Sequence, residues 1–118
     1  MITTDQIINI KKPNLKADII NVLKNRFSPR IFLEEEVKDE DIKKIFEAAH
    51  WSPSCFNIQP WFFYYAKNRN FGFRRISSSL TKGNSWAKKA PVLIVGCYID
   101  TTSHGKNSYA MYDLGQAV

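Results

Sequence analysis

Two short apolar runs, WFFYYAK at 61–67 and PVLIVGCYID at 91–100, constrain the fold more than any other part of the chain. Each is rich in aromatic or β-branched residues and is bounded by turn formers, the pattern of a strand. Five consecutive aromatics in the first run suit a strand covered on both faces rather than one half in water. Pro91 opens the second, where its missing N–H removes least from a ladder. Helical patterns lie before, between and after these runs, so the spacing predicts a sheet flanked by helices, an α/β or α+β architecture.

The helical patterns are specific. LKADIINVLKNR at 15–26 places Leu15, Ile19, Val22 and Leu23 at helical spacing, with Asn14 as N-cap after Pro13. Pro29 then forces SPRIF into a loop. A second helix begins near Asp39 in an acidic stretch that complements its dipole, buries Ile42, Ile45, Phe46 and Ala49, and stops at Trp51 to Ser52 before Pro53. FGFRRISSSLTKGNSW at 71–86 reads as a shorter helix followed by a loop at Lys82 to Asn84. SYAMYDLGQAV at 108–118 opens a last helix, with Tyr109, Tyr112 and Gln116 on one side and no C-terminal cap. An unfinished helix after two strands reads as a truncated domain, without repeats or flexible linkers to suggest a second one.

A length of 118 residues, 44% of them hydrophobic, suffices for one domain with one core. No run approaches the roughly 20 apolar residues of a bilayer span, and MITTDQIINIKK lacks the order of a signal peptide, so a cytoplasmic protein is expected. A net charge of +6 favours anionic partners, but the Lys and Arg residues are scattered rather than massed in one run. Cys55 and Cys97 stand alone, without metal-ligand spacing, and read as buried or half-buried free thiols. His50 and His104 have no obvious nucleophile or ligand set.

Two stretches carry groups suited to binding. Arg26, Ser28 and Arg30 alternate, so an extended backbone would project two guanidiniums and a hydroxyl to one side as an anion site; a solvated basic loop is the plainer alternative. SPSCFNIQPW at 52–61 holds Ser54, Asn57 and Gln59 between Pro53 and Pro60, more polar groups than a helix-to-strand turn requires. These side chains either face a ligand or satisfy backbone groups around the two prolines. Trp61 and the aromatics after it read as core.

The order of the pieces is more telling than any one of them. NRFSPRIF, then IFEAAHWSPSCFNIQPWFF, then GNSWAKKAPVLIVG, then YDLGQAV, resembles the amino-terminal half of the nitroreductase family of flavin enzymes. SPSCFNIQPW carries the resemblance most specifically, departing from the family pattern in Ser52 for an alanine and Cys55 for a frequent serine.

The resemblance implies a three-layer sandwich with a central, mostly antiparallel sheet, residues 1–118 forming the amino-terminal portion of a single domain. It implies an FMN-dependent oxidoreductase that takes hydride from NADH or NADPH and passes electrons to a nitroaromatic, quinone or similar acceptor, as a homodimer with FMN at the subunit interface. Arg26, Phe27, Ser28 and Arg30 would meet the phosphate, ribityl and pyrimidine portions. Pro53, Ser54, Cys55 and Asn57 would line the flavin, and Asn84 would add another amide. No side chain need act as a general acid or base, because the protein supplies position and field. The family's later chain supplies further strands and donors, without which weak or absent FMN binding is expected. Two rivals remain at this point: an inactive interaction fragment of the same fold, and a small basic nucleic-acid-binding module.

Overall fold

In the computed structural model, the structure describes residues 3, 6, 10, 14–103 and 105–118. Lys11, Lys12, Pro13 and His104 therefore lie outside the described residues. The chain divides into two compact units, residues 1–30 and 31–118.

In the first unit, helix α1 spans only Asn21–Asn25 and is preceded by Ile20 as N-cap, in place of the longer helix expected from Leu15 with Asn14 as cap. None of its residues is buried, and Val22 is 77% exposed. Leu15, Ile19 and Leu23 of the same stripe are also exposed, and helices this short draw their stability from packing. Beyond it, residues 26–30 carry no helix or strand, as Pro29 dictates.

The second unit is built on one antiparallel ladder. Strand β1, Trp61–Lys67, pairs with β2, Val92–Tyr98, in a register that sets Trp61 opposite Tyr98, Phe63 opposite Gly96 and Lys67 opposite Val92. The pairing runs past both ends, because Ile99 N–H donates to Pro60 O at 2.9 Å and Asn68 N–H to Pro91 O at 2.8 Å. Both prolines thus contribute acceptors where they have no donor to give. A small antiparallel pair follows, β3 (Thr101–Thr102) with β4 (Gly105–Lys106), which the sequence patterns did not indicate. Gly105 sits at φ 106°, a left-handed conformation that favours glycine.

Helices cover both faces of the ladder. Helix α2, Asp39–His50, buries Ile42 and Ala49 and sets Phe46 against Phe63 and Tyr65, with ring centroids 5.6 and 5.4 Å apart. Ile45, expected in that buried stripe, lies at its edge and is 50% exposed. Lys67 at the end of β1 bridges Asp39 at 2.7 Å and Glu36 at 3.1 Å. Hydrogen bonding and charge from Lys67 hold the Asp39 carboxyl below its ordinary value, and Asp39 and Glu36 in turn raise the Lys67 ammonium.

On the opposite face, helix α3, Phe71–Ser78, buries Phe73 and is capped by Asn70, whose side chain accepts the Phe73 N–H at 2.7 Å. An added Cβ on Gly72 would stand 3.4 Å from Ala66 Cβ, which places this helix over the buried Ala66 end of the strand. The rest of that face stays open: Phe62 and Tyr64 are exposed and pack edge-on against each other, so β1 is not covered on both faces along its length. Residues Lys82–Lys89 form 3₁₀ turns rather than the expected loop. Asn84 N–H donates to Thr81 O at 2.9 Å, and Trp86 stacks on Phe32.

Helix α4, Ala110–Ala117, completes the unit and packs on β2, β1 and α2. Its approach depends on Gly96, where an added Cβ would stand 3.0 Å from Leu114 Cδ1 and 3.4 Å from the Phe63 ring. The helix entry is organised by Asn107, which accepts the Tyr109 N–H at 3.0 Å on Oδ1.

The Asn70 cap gives a direct check on this description. Asn70→Ala should lower the unfolding free energy by about 1 kcal/mol, read as a lower urea midpoint with an unchanged slope; an unchanged midpoint would show that the cap contributes nothing.

Candidate functional site

The connection from α2 to β1 is held in an unusual backbone conformation. Phe56, Asn57 and Gln59 have φ of 52°, 55° and 48°, left-handed values that bulky residues adopt at a cost. Pro53 and Pro60 bracket the segment, Pro60 buried and Pro53 exposed. Turn bonds run from Asn57 N–H to Ser54 O at 3.0 Å and from Ile58 N–H to Cys55 O at 3.2 Å.

The polar side chains divide between the two roles the sequence left open. Ser54 Oγ accepts the Gln59 N–H at 3.0 Å, and Gln59 Nε2 donates to His50 O at 3.3 Å, so both residues satisfy the backbone around the prolines. The Ser54 hydroxyl proton is still free to donate outward. Asn57 is exposed, and its side-chain amide has no hydrogen-bond partner among the described residues. Beside it Phe56 is 92% exposed. Cys55 is half-buried, as is Cys97, and both are free thiols.

The loop is fastened to α4 at two points. Cys55 N–H donates to Asp113 Oδ1 at 3.2 Å, and Ser52 Oγ donates to Gln116 O at 3.1 Å. Asp113 is 2% exposed. Sequence reasoning missed it. The available signal was a lone carboxyl amid the apolar residues of AMYDLGQAV, a place where an unpaired acid is costly.

The remaining predicted residues are placed separately. Asn84, in the same unit as the loop, is exposed and its Nδ2 donates to Thr81 Oγ1 at 3.3 Å. Arg26, Phe27, Ser28 and Arg30 belong to the first unit, where Phe27 is half-buried and the other three are exposed. Three exposed donors of this kind match the chemistry of an anionic group.

An open cavity of about 690 Å³ lies elsewhere in the second unit, lined by residues 32–36, 67–69, 88, 89 and 91. It contains no residue of the 52–60 loop, and its three glutamates stand among four basic side chains. Among the described residues, no three of His, Cys, Asp and Glu gather to hold a metal ion.

Comparison with known proteins agrees with the motif order. The model of the Nitroreductase family matches residues 23–77. A relative from Archaeoglobus fulgidus is 30% identical over 78 residues, covering 66% of this chain and 44% of its own length. One from Methanothermobacter thermautotrophicus is 35% identical over 82 residues, 70% of this chain and 42% of its own. Both bear the name "Putative NADH dehydrogenase/NAD(P)H nitroreductase". A crystal structure described as an oxidoreductase containing FMN superposes with a TM-score of 0.80 at 31% identity, over 88% of this chain and 56% of that one. The chain is thus similar in sequence to the nitroreductase family and has the mixed α+β fold of an FMN-containing oxidoreductase, spanning about half the length of the relatives it matches.

The left-handed backbone at Asn57 makes a measurable demand. Asn57→Ala should be less stable than Asn57→Gly by about 1 kcal/mol, since glycine relieves the conformation that alanine resists. Equal thermal midpoints for the two variants would show that the position relaxes.

Proposed function

We propose that residues 1–118 are the amino-terminal portion of a single nitroreductase-like domain in a cytoplasmic, FMN-dependent oxidoreductase. NADH or NADPH is the reductant, and a nitroaromatic, quinone or similar small molecule is the acceptor. The observation that carries this reading is the loop after α2: a strained, doubly fastened turn that leaves the Asn57 amide and the Ser54 hydroxyl proton free to donate, within the stretch that most closely follows the family pattern.

When bound, FMN supplies the two-electron chemistry, taking hydride at the isoalloxazine ring and delivering electrons to the acceptor. The residues present fit that group. In this reading Arg26, Phe27 and Ser28 would meet the phosphate and ribityl end, with guanidinium and hydroxyl as donors, and Arg30 would lie nearer the ribityl or pyrimidine edge. Ser54 and Asn57 donate to the polar edge of the ring system, Pro53 and Cys55 pack near it, and Asn84 provides a further amide. Fixed donors at that edge would favour the negatively charged reduced form, and no side chain need transfer a proton.

A homodimer is part of the same proposal. Met111 and Tyr112 of α4 and Val118 just past its end are exposed apolar residues around Gly115, where an added Cβ would meet nothing within 4 Å. Glycine within a helix costs about 1 kcal/mol relative to alanine, a cost that close approach of another helix would offset.

The binding roles are tested by calorimetric titration of FMN into the protein and its variants. Arg26→Ala should weaken FMN binding by roughly 10- to 150-fold, the equivalent of about 1.5 to 3 kcal/mol for a charge-assisted contact. Asn57→Gly should weaken it while leaving thermal stability unharmed. Unchanged affinity in Arg26→Ala would remove the phosphate role.

A further inference from the structure

We propose that Asp113 is a positioning residue: from α4 it fixes the 52–60 loop in its left-handed geometry by accepting the Cys55 N–H, and so sets the donors that meet the flavin. This rests on the reading of the loop as the flavin-contacting segment.

Three features of the structure converge on it. Asp113 Oδ1 takes the Cys55 N–H at 3.2 Å, at the residue immediately before the left-handed Phe56 and Asn57. The side chain is 2% exposed, and its Oδ2 is buried without a hydrogen-bond partner among the described residues. An acid placed this way is a poor choice for packing alone, because a buried polar oxygen without a partner costs free energy that an apolar side chain would not. The contact that offsets this cost is the one Oδ1 makes. The contact is long-range, joining residues 58 apart in sequence, while Ser54 Oγ and the turn bonds of the loop are local. Local bonds close the turn; the Asp113 bond ties it to the helix that rests on the sheet at Gly96.

The consequence is that the loop and α4 act as one piece in flavin binding. Phe56 and Asn57 hold conformations that a free turn would leave, and the anchored Cys55 amide, beside the Ser52 contact to Gln116, opposes that relaxation at the residue next to them.

The test measures amide hydrogen exchange and FMN affinity in the full chain and in two variants. Asp113→Ala removes the acceptor. It should lower protection at the Cys55 amide by about tenfold or more, leave the ladder-end amides of Asn68 and Ile99 unchanged, and weaken FMN binding by about tenfold. Asp113→Asn keeps a carbonyl oxygen, and should keep both Cys55 protection and FMN affinity within about threefold of the parent. The proposal is overturned if Asp113→Ala leaves Cys55 protection or FMN affinity unchanged, or if the asparagine variant is as impaired as the alanine one. Should the alanine variant lose protection at Asn68 and Ile99 as well, Asp113→Asn alone decides: retained Cys55 protection supports the proposal and lost protection overturns it. A parent protein that ignores FMN would defeat the flavin reading, whereas Cys55 exchange would still decide whether Asp113 holds the loop.

Discussion

The antiparallel pairing of β1 with β2 is the constraint from which the rest of the second unit follows. Its register places Gly96 opposite Phe63, and the missing side chain there lets Leu114 bring α4 down onto the sheet. That contact puts Asp113 where its carboxyl reaches the Cys55 N–H and puts the Gln116 carbonyl within reach of Ser52. The loop between α2 and β1 is consequently held from below by a helix far along the chain. Function in this account is a property of that loop, but its shape is set by the ladder two steps away.

Magnitudes show why one contact could not do this alone. Left-handed conformations cost about 1 to 2 kcal/mol per bulky residue, and Phe56, Asn57 and Gln59 all adopt them, with asparagine the most tolerant. A single hydrogen bond returns about 0.5 to 1.5 kcal/mol, or up to about 3 with a charged acceptor. The remaining support comes from the Ser54 and Gln59 side chains and from two prolines that narrow the conformations open to the unfolded loop. Exposed ion pairs such as Lys67 with Asp39 and Glu36 contribute orientation more than stability.

Both strands were legible in the sequence because aromatic and β-branched runs bounded by turn formers have few other uses, and α2 was legible from its stripe and acidic start. Burial was harder to read. Five aromatics in a row suggested a strand covered on both faces, yet α3 covers only the Ala66 end and leaves Phe62 and Tyr64 open. The stripe from Leu15 to Leu23 has helical spacing, but α1 is confined to Asn21–Asn25 and the stripe is exposed, because periodicity states which face a helix would bury and not that it is buried. Lys82 to Asn84 resembled a loop by composition, while backbone bonding to Thr81 and the stacking of Trp86 on Phe32 accompany 3₁₀ turns over Lys82–Lys89. Within the candidate site, the loop and its polar residues could be picked out by their types alone. Asp113 stood out only as a lone carboxyl in an apolar stretch, and its role could not be read, since that role exists only when residues 58 apart in sequence are brought together.

The measurement that tests the central claim most directly is an absorbance spectrum from about 300 to 550 nm taken across a gel-filtration peak of the purified protein supplied with FMN. The account predicts flavin bands that travel with a dimer-sized peak and are released on denaturation, so that the family's later chain is less necessary for binding than the resemblance implies. A colourless peak, with all the added FMN eluting later as free flavin, would contradict the reading of the 52–60 loop as a flavin-contacting segment of this chain.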